Sequence, residues 1–181
     1  MDYVHDYISS KPFYEKNIDV LFPNKLGKFE LVNIIDNEKQ FAGLGVLLEY
    51  TFYESNVTIY VYNNTVKSIE TGIVSDFIIK EMDSCIDDVY QMEKSGQYIK
   101  LEVCEPKNIT YDVCNKKFTF RCAIANYVSN LEEKTSLIML CGYNNHYIKI
   151  RYTTKKSLFI YTTEGEKLFD GFMGSLCNIL C

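Results

Sequence analysis

The sequence predicts a single α+β domain built on a mainly antiparallel sheet, and three observations carry that prediction. Runs of alternating apolar and polar residues recur along the chain. The linkers between them are short and rich in Asn, Ser and Gly. Only two segments, one central and one C-terminal, switch to an apolar period of three to four residues. Strands joined by hairpin-length linkers pair antiparallel, and a helix with one apolar stripe must bury that stripe on a sheet face. With 181 residues, 47% hydrophobic and 24% charged, the chain can fill one core without disulfide staples. Residues 1–20 are mixed and polar and read as an N-terminal extension; the domain is expected to span 21–181.

Pro and Gly bracket an apolar cluster in Leu21-Phe22-Pro23-Asn24-Lys25-Leu26-Gly27, a turn that feeds the first strand, Phe29 to Ile35. The glycine-bearing loop Gln40 to Gly45 leads into a second strand, Val46 to Phe52. Glu54-Ser55-Asn56 reads as the turn before Val57 to Tyr62, where Val57, Ile59 and Val61 point one way and Thr58, Tyr60 and Tyr62 the other. From Ser75 to Ser95 the period changes, with Val74, Ile78, Met82, Cys85, Val89 and Met92 stepping by three or four along one helical face. Ser75 suits the N-cap of that helix and Gly96 its C-cap. Strand patterns resume at Tyr98 to Cys104, followed by a loop holding Pro106 and Asn108. Phe118 to Tyr127, Thr135 to Cys141 and Tyr147 to Thr153 then follow, with hairpin chemistry at Ser129-Asn130 and Tyr143-Asn144-Asn145. Leu168, Phe172, Leu176 and Leu180, four apart, predict a closing helix over 164–179, with Thr163 and Glu166 offering a capping box.

Nineteen Lys and Arg against 24 Asp and Glu give a net charge of -5, which argues against general binding to a phosphate backbone. No apolar stretch is long enough for a transmembrane helix. Met1 to Tyr7 lacks the basic and apolar regions of an export signal, so a cytoplasmic chain is expected, and a periplasmic one only if a leader has been removed. Seven cysteines, an odd number without a CxxC pair, speak against a disulfide framework or a zinc ribbon. They are expected to be reduced and mostly buried; the sharper alternative is a Cys104–Cys114 bridge.

Catalytic motifs are missing from the sequence, and no cofactor or metal site is expected. Gly43-Leu44-Gly45 lacks the third glycine and the helix of a dinucleotide loop, and reads as a turn or a close backbone approach. His5 and His146 are the two histidines. Cys141 with His146 is the one nucleophile–base pair that can be written, and no orienting third group accompanies it. The alternation of 147–153 puts Tyr147, Lys149, Arg151 and Thr153 on one face and Ile148, Ile150 and Tyr152 on the other. With the apolar face inward, Tyr147, Lys149 and Arg151 become the candidate binding residues on an exposed face, suited to an anion or an acidic partner.

Phe22-Pro23-Asn24-Lys25-Leu26-Gly27, Gly43-Leu44-Gly45-Val46, Thr58-Ile59-Tyr60-Val61-Tyr62, Phe120-Arg121-Cys122 and His146 to Thr153 together resemble a family of uncharacterised bacterial proteins over about residues 21–155. More distantly, the order of elements is similar to the PsbP-type α/β/α sandwich, whose members include photosystem extrinsic subunits, small lipoproteins and secretion-system chaperones. That likeness implies two helical layers on an antiparallel sheet and a protein that binds other proteins. The expected function is therefore non-enzymatic protein interaction, as an adaptor, chaperone or immunity-type factor. The alternative is a small-ligand binder or weak hydrolase with a pocket between sheet and helix.

Overall fold

Residues 11–160 and 163–181 are described in the computed structural model; His5 and the first ten residues of the expected extension lie outside them. In chain order the elements are β1 (Phe13–Glu15), β2 (Val20–Phe22), β3 (Lys25–Leu26), β4 (Phe29–Asp36), β5 (Val46–Phe52), β6 (Ser55–Tyr62) and α1 (Asp76–Lys94). There follow β7 (Ile99–Val103), β8 (Lys107–Val113), β9 (Lys116–Ser129), β10 (Glu132–Tyr143), β11 (His146–Lys155), α2 (Lys156–Ile160) and α3 (Thr163–Ile179). The main sheet runs β3-β4-β5-β6-β11-β10-β9-β7 with every pairing antiparallel, and β8 also pairs with β9. This is the expected α+β domain, with α1 on one face of the sheet and α3 on the other.

Alternation explains the two layers. Val57, Ile59 and Val61 of β6, Leu137 and Met139 of β10, and Ile148, Ile150 and Tyr152 of β11 form one core with Phe169, Phe172, Met173, Leu176 and Cys177 of α3. The Phe172 ring meets Phe29 at 5.3 Å and Tyr50 at 5.8 Å, both edge-on, the geometry aromatic quadrupoles prefer. Intervening residues face the other way: Tyr62, Ala125, Tyr127, Ile138, Leu140 and Tyr147 meet Ile78, Met82, Cys85 and Val89 of α1. Ser75 caps α1 by accepting a hydrogen bond from the Phe77 amide, and the chain leaves the helix through Gly96 at φ +76°. The Thr163 side chain of the expected capping box lies outside the described residues.

The structure differs from the sequence reading at several places. Val74, expected on the helical face, precedes the Ser75 cap and is 85% exposed, and the C-cap is Ser95, one residue before Gly96. Helix α2 has no counterpart among the expected elements. The boundary at residue 20 moves, because β1 and β2 form a hairpin whose Ile18, Val20 and Phe22 enter the α3-side core. Residues 107–113, expected as loop, are strand β8, its partners running from Cys122 to Lys116 of β9. The turn placed at Glu54-Ser55-Asn56 is tighter: Ser55 already pairs with Phe52, leaving Tyr53-Glu54 as the two-residue turn. Three further two-residue turns, Cys114-Asn115, Asn130-Leu131 and Asn144-Asn145, hold both central residues at positive φ, as a type I′ hairpin requires.

Gly43-Leu44-Gly45 is a turn with a close approach. A Cβ on Gly45 would stand 1.9 Å from the Val61 carbonyl, at φ +59°. The Gly43 and Gly45 amides donate to the Glu38 carboxylate at 2.9–3.0 Å. Those bonds, Gly43 first and Gly45 second, hold the Glu38 pKa below its ordinary value.

Two expected outcomes follow from this packing. Phe172→Ala should lower the free energy of unfolding by about 3–5 kcal/mol in urea titrations, whereas Leu131→Ala, at a turn position 97% exposed, should change it by less than about 0.5 kcal/mol. Because the folded-state pKa of Glu38 is depressed, its contribution is present above the unfolded value and is lost as pH falls through the folded one. Amide-exchange protection at Gly43 and Gly45 should therefore hold at neutral pH and drop only in acid below the ordinary carboxylate range. Glu38→Gln should remove that dependence; unchanged acid sensitivity in the variant would assign it elsewhere.

Candidate functional site

α1 lies over β7, β9 and β10 and leaves uncovered the same face of β4, β5 and β6 and the far half of β11. One edge of the helix reaches β6 through the Tyr62 hydroxyl, which donates to Glu81 at 2.5 Å. Beyond that edge the sheet is open. Its floor carries Thr58 and Tyr60 of β6 and Arg151 and Thr153 of β11, which the register sets side by side: Arg151 opposite Thr58, Lys149 opposite Tyr60. A polar groove of about 460 Å³ runs over these residues, bounded by Tyr98, Tyr127 and Lys134. A narrower recess of about 290 Å³ continues from Tyr60 and Arg151 under α1, past Lys149, Cys85, Asp88 and Met92.

Arg151 sits where the two recesses meet. Its guanidinium donates to the Tyr98 hydroxyl at 2.7 Å, while its Nε is sealed from solvent and has no hydrogen-bond partner among the described residues. No carboxylate lies within salt-bridge distance of it among those residues. Desolvation works against the charge, but the neighbouring phenols of Tyr98 and Tyr127 outweigh it, and the pKa of Arg151 is raised. The cation therefore persists, half-buried and without a compensating anion. Tyr98 stacks on Tyr127 at 3.9 Å and 21°. From there a hydroxyl chain runs Tyr127 to Ser136 at 3.1 Å and Ser136 to Thr153 at 2.7 Å, back to the groove floor. At the rim, Lys155 bridges Glu54 at 2.6 Å and Glu132 at 3.1 Å, so those two carboxylates are already engaged.

The structure keeps Tyr147, Lys149 and Arg151 on one face, as the alternation requires, but that face is not freely exposed. Tyr147 is buried, its ring 5.2 Å from that of Tyr62, because α1 packs over this end of β11. Lys149 is half-buried, its ammonium 4.5 Å from the Tyr60 ring centroid and 5.3 Å from that of Tyr62. Arg151 and Thr153 alone of this row reach the groove. Tyr60, Thr58, Tyr98 and Tyr127 complete the site and were not singled out from sequence as one constellation. Register would have joined Thr58 and Tyr60 to β11; nothing in the sequence announces the Tyr98–Tyr127 stack. Arg121 of β9 also has a sealed, unpartnered Nε, but it lines neither recess.

Cys141 and His146 do not form a dyad. Cys141 points into the α3-side core, where burial pushes its thiol well above the ordinary range. His146 instead uses Nδ1 to hydrogen-bond the Asn144 carbonyl at 2.9 Å. Cys104 and Cys114 do not meet either. Cys104 bonds beside Ile124, while Cys114 turns the hairpin next to Lys116, eight β9 residues or roughly 27 Å away. All seven cysteines are free thiols, with Cys85, Cys122, Cys141 and Cys177 buried and the other three exposed. Among the described residues no group of three His, Cys, Asp or Glu is placed to hold a metal, and no helix is long and apolar enough to cross a membrane.

No family model matches the chain, and no curated protein matches it. Among solved structures, it is similar to the solution structure of cyanobacterial PsbP (CyanoP) from Synechocystis sp. PCC 6803, with a TM-score of 0.52 and 15% sequence identity. The similarity covers 94% of this chain and 94% of that one. The chain thus has the PsbP-like fold that its order of elements implied.

Proposed function

We propose that this chain is a non-catalytic binding protein that holds an acidic segment of a protein partner on the open half of its sheet. One observation carries the reading: Arg151 is a half-buried guanidinium at the floor of an open groove, with no carboxylate partner among the described residues and one donor unused. A buried cation without an anion is costly, and a carboxylate entering the groove beside the guanidinium supplies the missing charge. Thr58, Thr153 and Tyr60 add neutral donors and a ring face, and Lys134 adds a second cation. The uncovered face continues past Leu47 to Ile35, which is 38% exposed, so the surface is broader than a small molecule needs. A segment laid across the strands fits it better than a ligand enclosed within it.

An adaptor, chaperone or immunity-type factor would each use such a face, and the fold's known members fit a binding role without specifying a partner. The recess under α1 favours a second reading, a small anionic ligand held between sheet and helix by Lys149 and Arg151. Seven free thiols support a reducing compartment, in line with the cytoplasmic expectation.

The test is an NMR titration of the full chain with a synthetic peptide rich in Asp and Glu, against a Lys-rich control, succinate and inorganic phosphate. Shift changes from the acidic peptide should cluster on β6, β10 and β11 around Arg151 and weaken steeply with salt. Arg151→Gln should reduce affinity at least about tenfold, as loss of a charge-assisted bidentate contact does. Lys134→Glu, at the rim, should weaken binding with the fold intact. Equal binding by wild type and both variants, or shifts confined to another surface, would overturn the reading. Saturation by succinate or phosphate alone, centred on Lys149 and Cys85, would replace it with the small-ligand one.

A further inference from the structure

Five of the seven cysteines gather on the α3 side of the sheet, and two of those lie at its solvent edge. Cys114 stands in the turn between β8 and β9, and Cys181 follows the end of α3. Both are exposed. The two residues are laced together through each other's neighbours: the Cys114 thiol donates to Asn178 Oδ1 at 3.1 Å, and the Cys181 thiol to the Val113 carbonyl at 3.6 Å. Lys116 donates to the Cys181 main-chain carbonyl. The end of α3 is further held by the Tyr143 hydroxyl, which donates to the Leu180 carbonyl at 3.0 Å. These contacts bring two exposed thiols, from elements far apart in sequence, to the same hairpin end on a backbone already docked.

We propose that Cys114 and Cys181 are a redox-responsive pair that closes to an intramolecular disulfide and locks α3 onto the β8–β9 hairpin. The oxidant is a small-molecule disulfide such as oxidised glutathione. One of the two thiolates attacks it, forming a protein–glutathione mixed disulfide and releasing one glutathione thiolate. The other protein thiolate then attacks the protein sulfur of that mixed disulfide and releases the second glutathione. Two protein thiols lose two electrons and two protons; one oxidised glutathione becomes two reduced ones.

The remaining cysteines compete poorly. Cys85 is 4% exposed on the inner face of α1, and Cys122, Cys141 and Cys177 lie within the α3-side core, where burial pushes the Cys122 and Cys177 thiols up to about 12. Cys104 is exposed but far along β9. The closed ring would enclose β9, β10, β11 and α3, so the link restrains a large part of the unfolded chain, and long loops gain most from closure. A Cys177–Cys181 link would tie only one helical turn and restrain almost nothing.

The full chain, reduced and then equilibrated with graded ratios of oxidised to reduced glutathione, is digested under non-reducing conditions and mapped by mass spectrometry. The expected result is one dominant linkage, Cys114 to Cys181, with the free-thiol count falling from seven by two and the melting temperature rising by several degrees. Cys114→Ser and Cys181→Ser should each abolish both the linkage and the oxidant-dependent shift in melting while keeping the reduced protein's spectrum. Stable glutathionylation of either residue without linkage, a Cys177–Cys181 or Cys104 link, or only intermolecular dimers would overturn the proposal.

Discussion

The register of β10 between β9 and β11 is the constraint on which the rest of the molecule depends, because it decides which residues go to which helix. Leu137 faces Ile124 and Tyr152, and Leu140 faces Arg121 and Lys149. A slip of one residue would send Ile138 and Leu140 to the α3 layer and leave Leu137, Met139 and Cys141 under α1. Both faces of β10 are buried from Thr135 to Gly142, so neither helix would find its complement. Two-residue turns at both ends of β10 leave no slack for that slip. Asn130-Leu131 and Asn144-Asn145, held at positive φ, pin the pairing locally.

From that register follows an asymmetry between the two helical layers. The α3 face of the central strands is apolar along its length, and α3 answers with a broad stripe from Phe169 to Leu180. The α1 face is apolar only toward Tyr62, Tyr147 and Leu140, and turns polar at Thr58, Arg151 and Thr153. A 19-residue helix with four fully buried side chains covers the first part and has nothing to bury on the second. The open groove is what remains. Its position is thus a product of where the alternating strands change from apolar to polar, and α1 sets its wall.

Much of this was legible in the sequence wherever one periodicity ran uninterrupted. The α1 pattern gave the N-cap and all four buried positions, though it also counted Val74, exposed before the cap, and set the C-cap one residue late. The β6 pattern gave its two faces, because such signals are local. The misses have physical causes. Lys107–Val113 alternates well, yet Pro106 and Asn108 mask it; Asn108 tolerates its place because β8 is at the edge of the sheet, paired only with β9. β1 and β2 are three residues each, too short for any period to register. The face carrying Tyr147, Lys149 and Arg151 was assigned correctly as a row, but alternation says nothing about what covers a row. Tyr147 is buried by a helix sixty residues earlier in the chain, whose docking no local pattern encodes.

Arg151 marks the place where local consistency gives way. The neighbouring positions on its face are satisfied within the fold: Lys149 by two tyrosine rings, Tyr147 by Tyr62, Thr153 by Ser136. Among the described residues Arg151 has one phenol as partner and no acceptor for its Nε. A Met or Leu there would pack against Tyr98 and Tyr127 at no electrostatic cost, and replacing a buried charge by an apolar side chain of similar volume is often stabilising by about 1–4 kcal/mol. A fold optimised only for its own stability has no use for the guanidinium. Its desolvation cost falls on the free protein, and under the proposed function an incoming carboxylate would offset it. The strain sits at the mouth of the groove and not in the α3 layer, where every large side chain has apolar company.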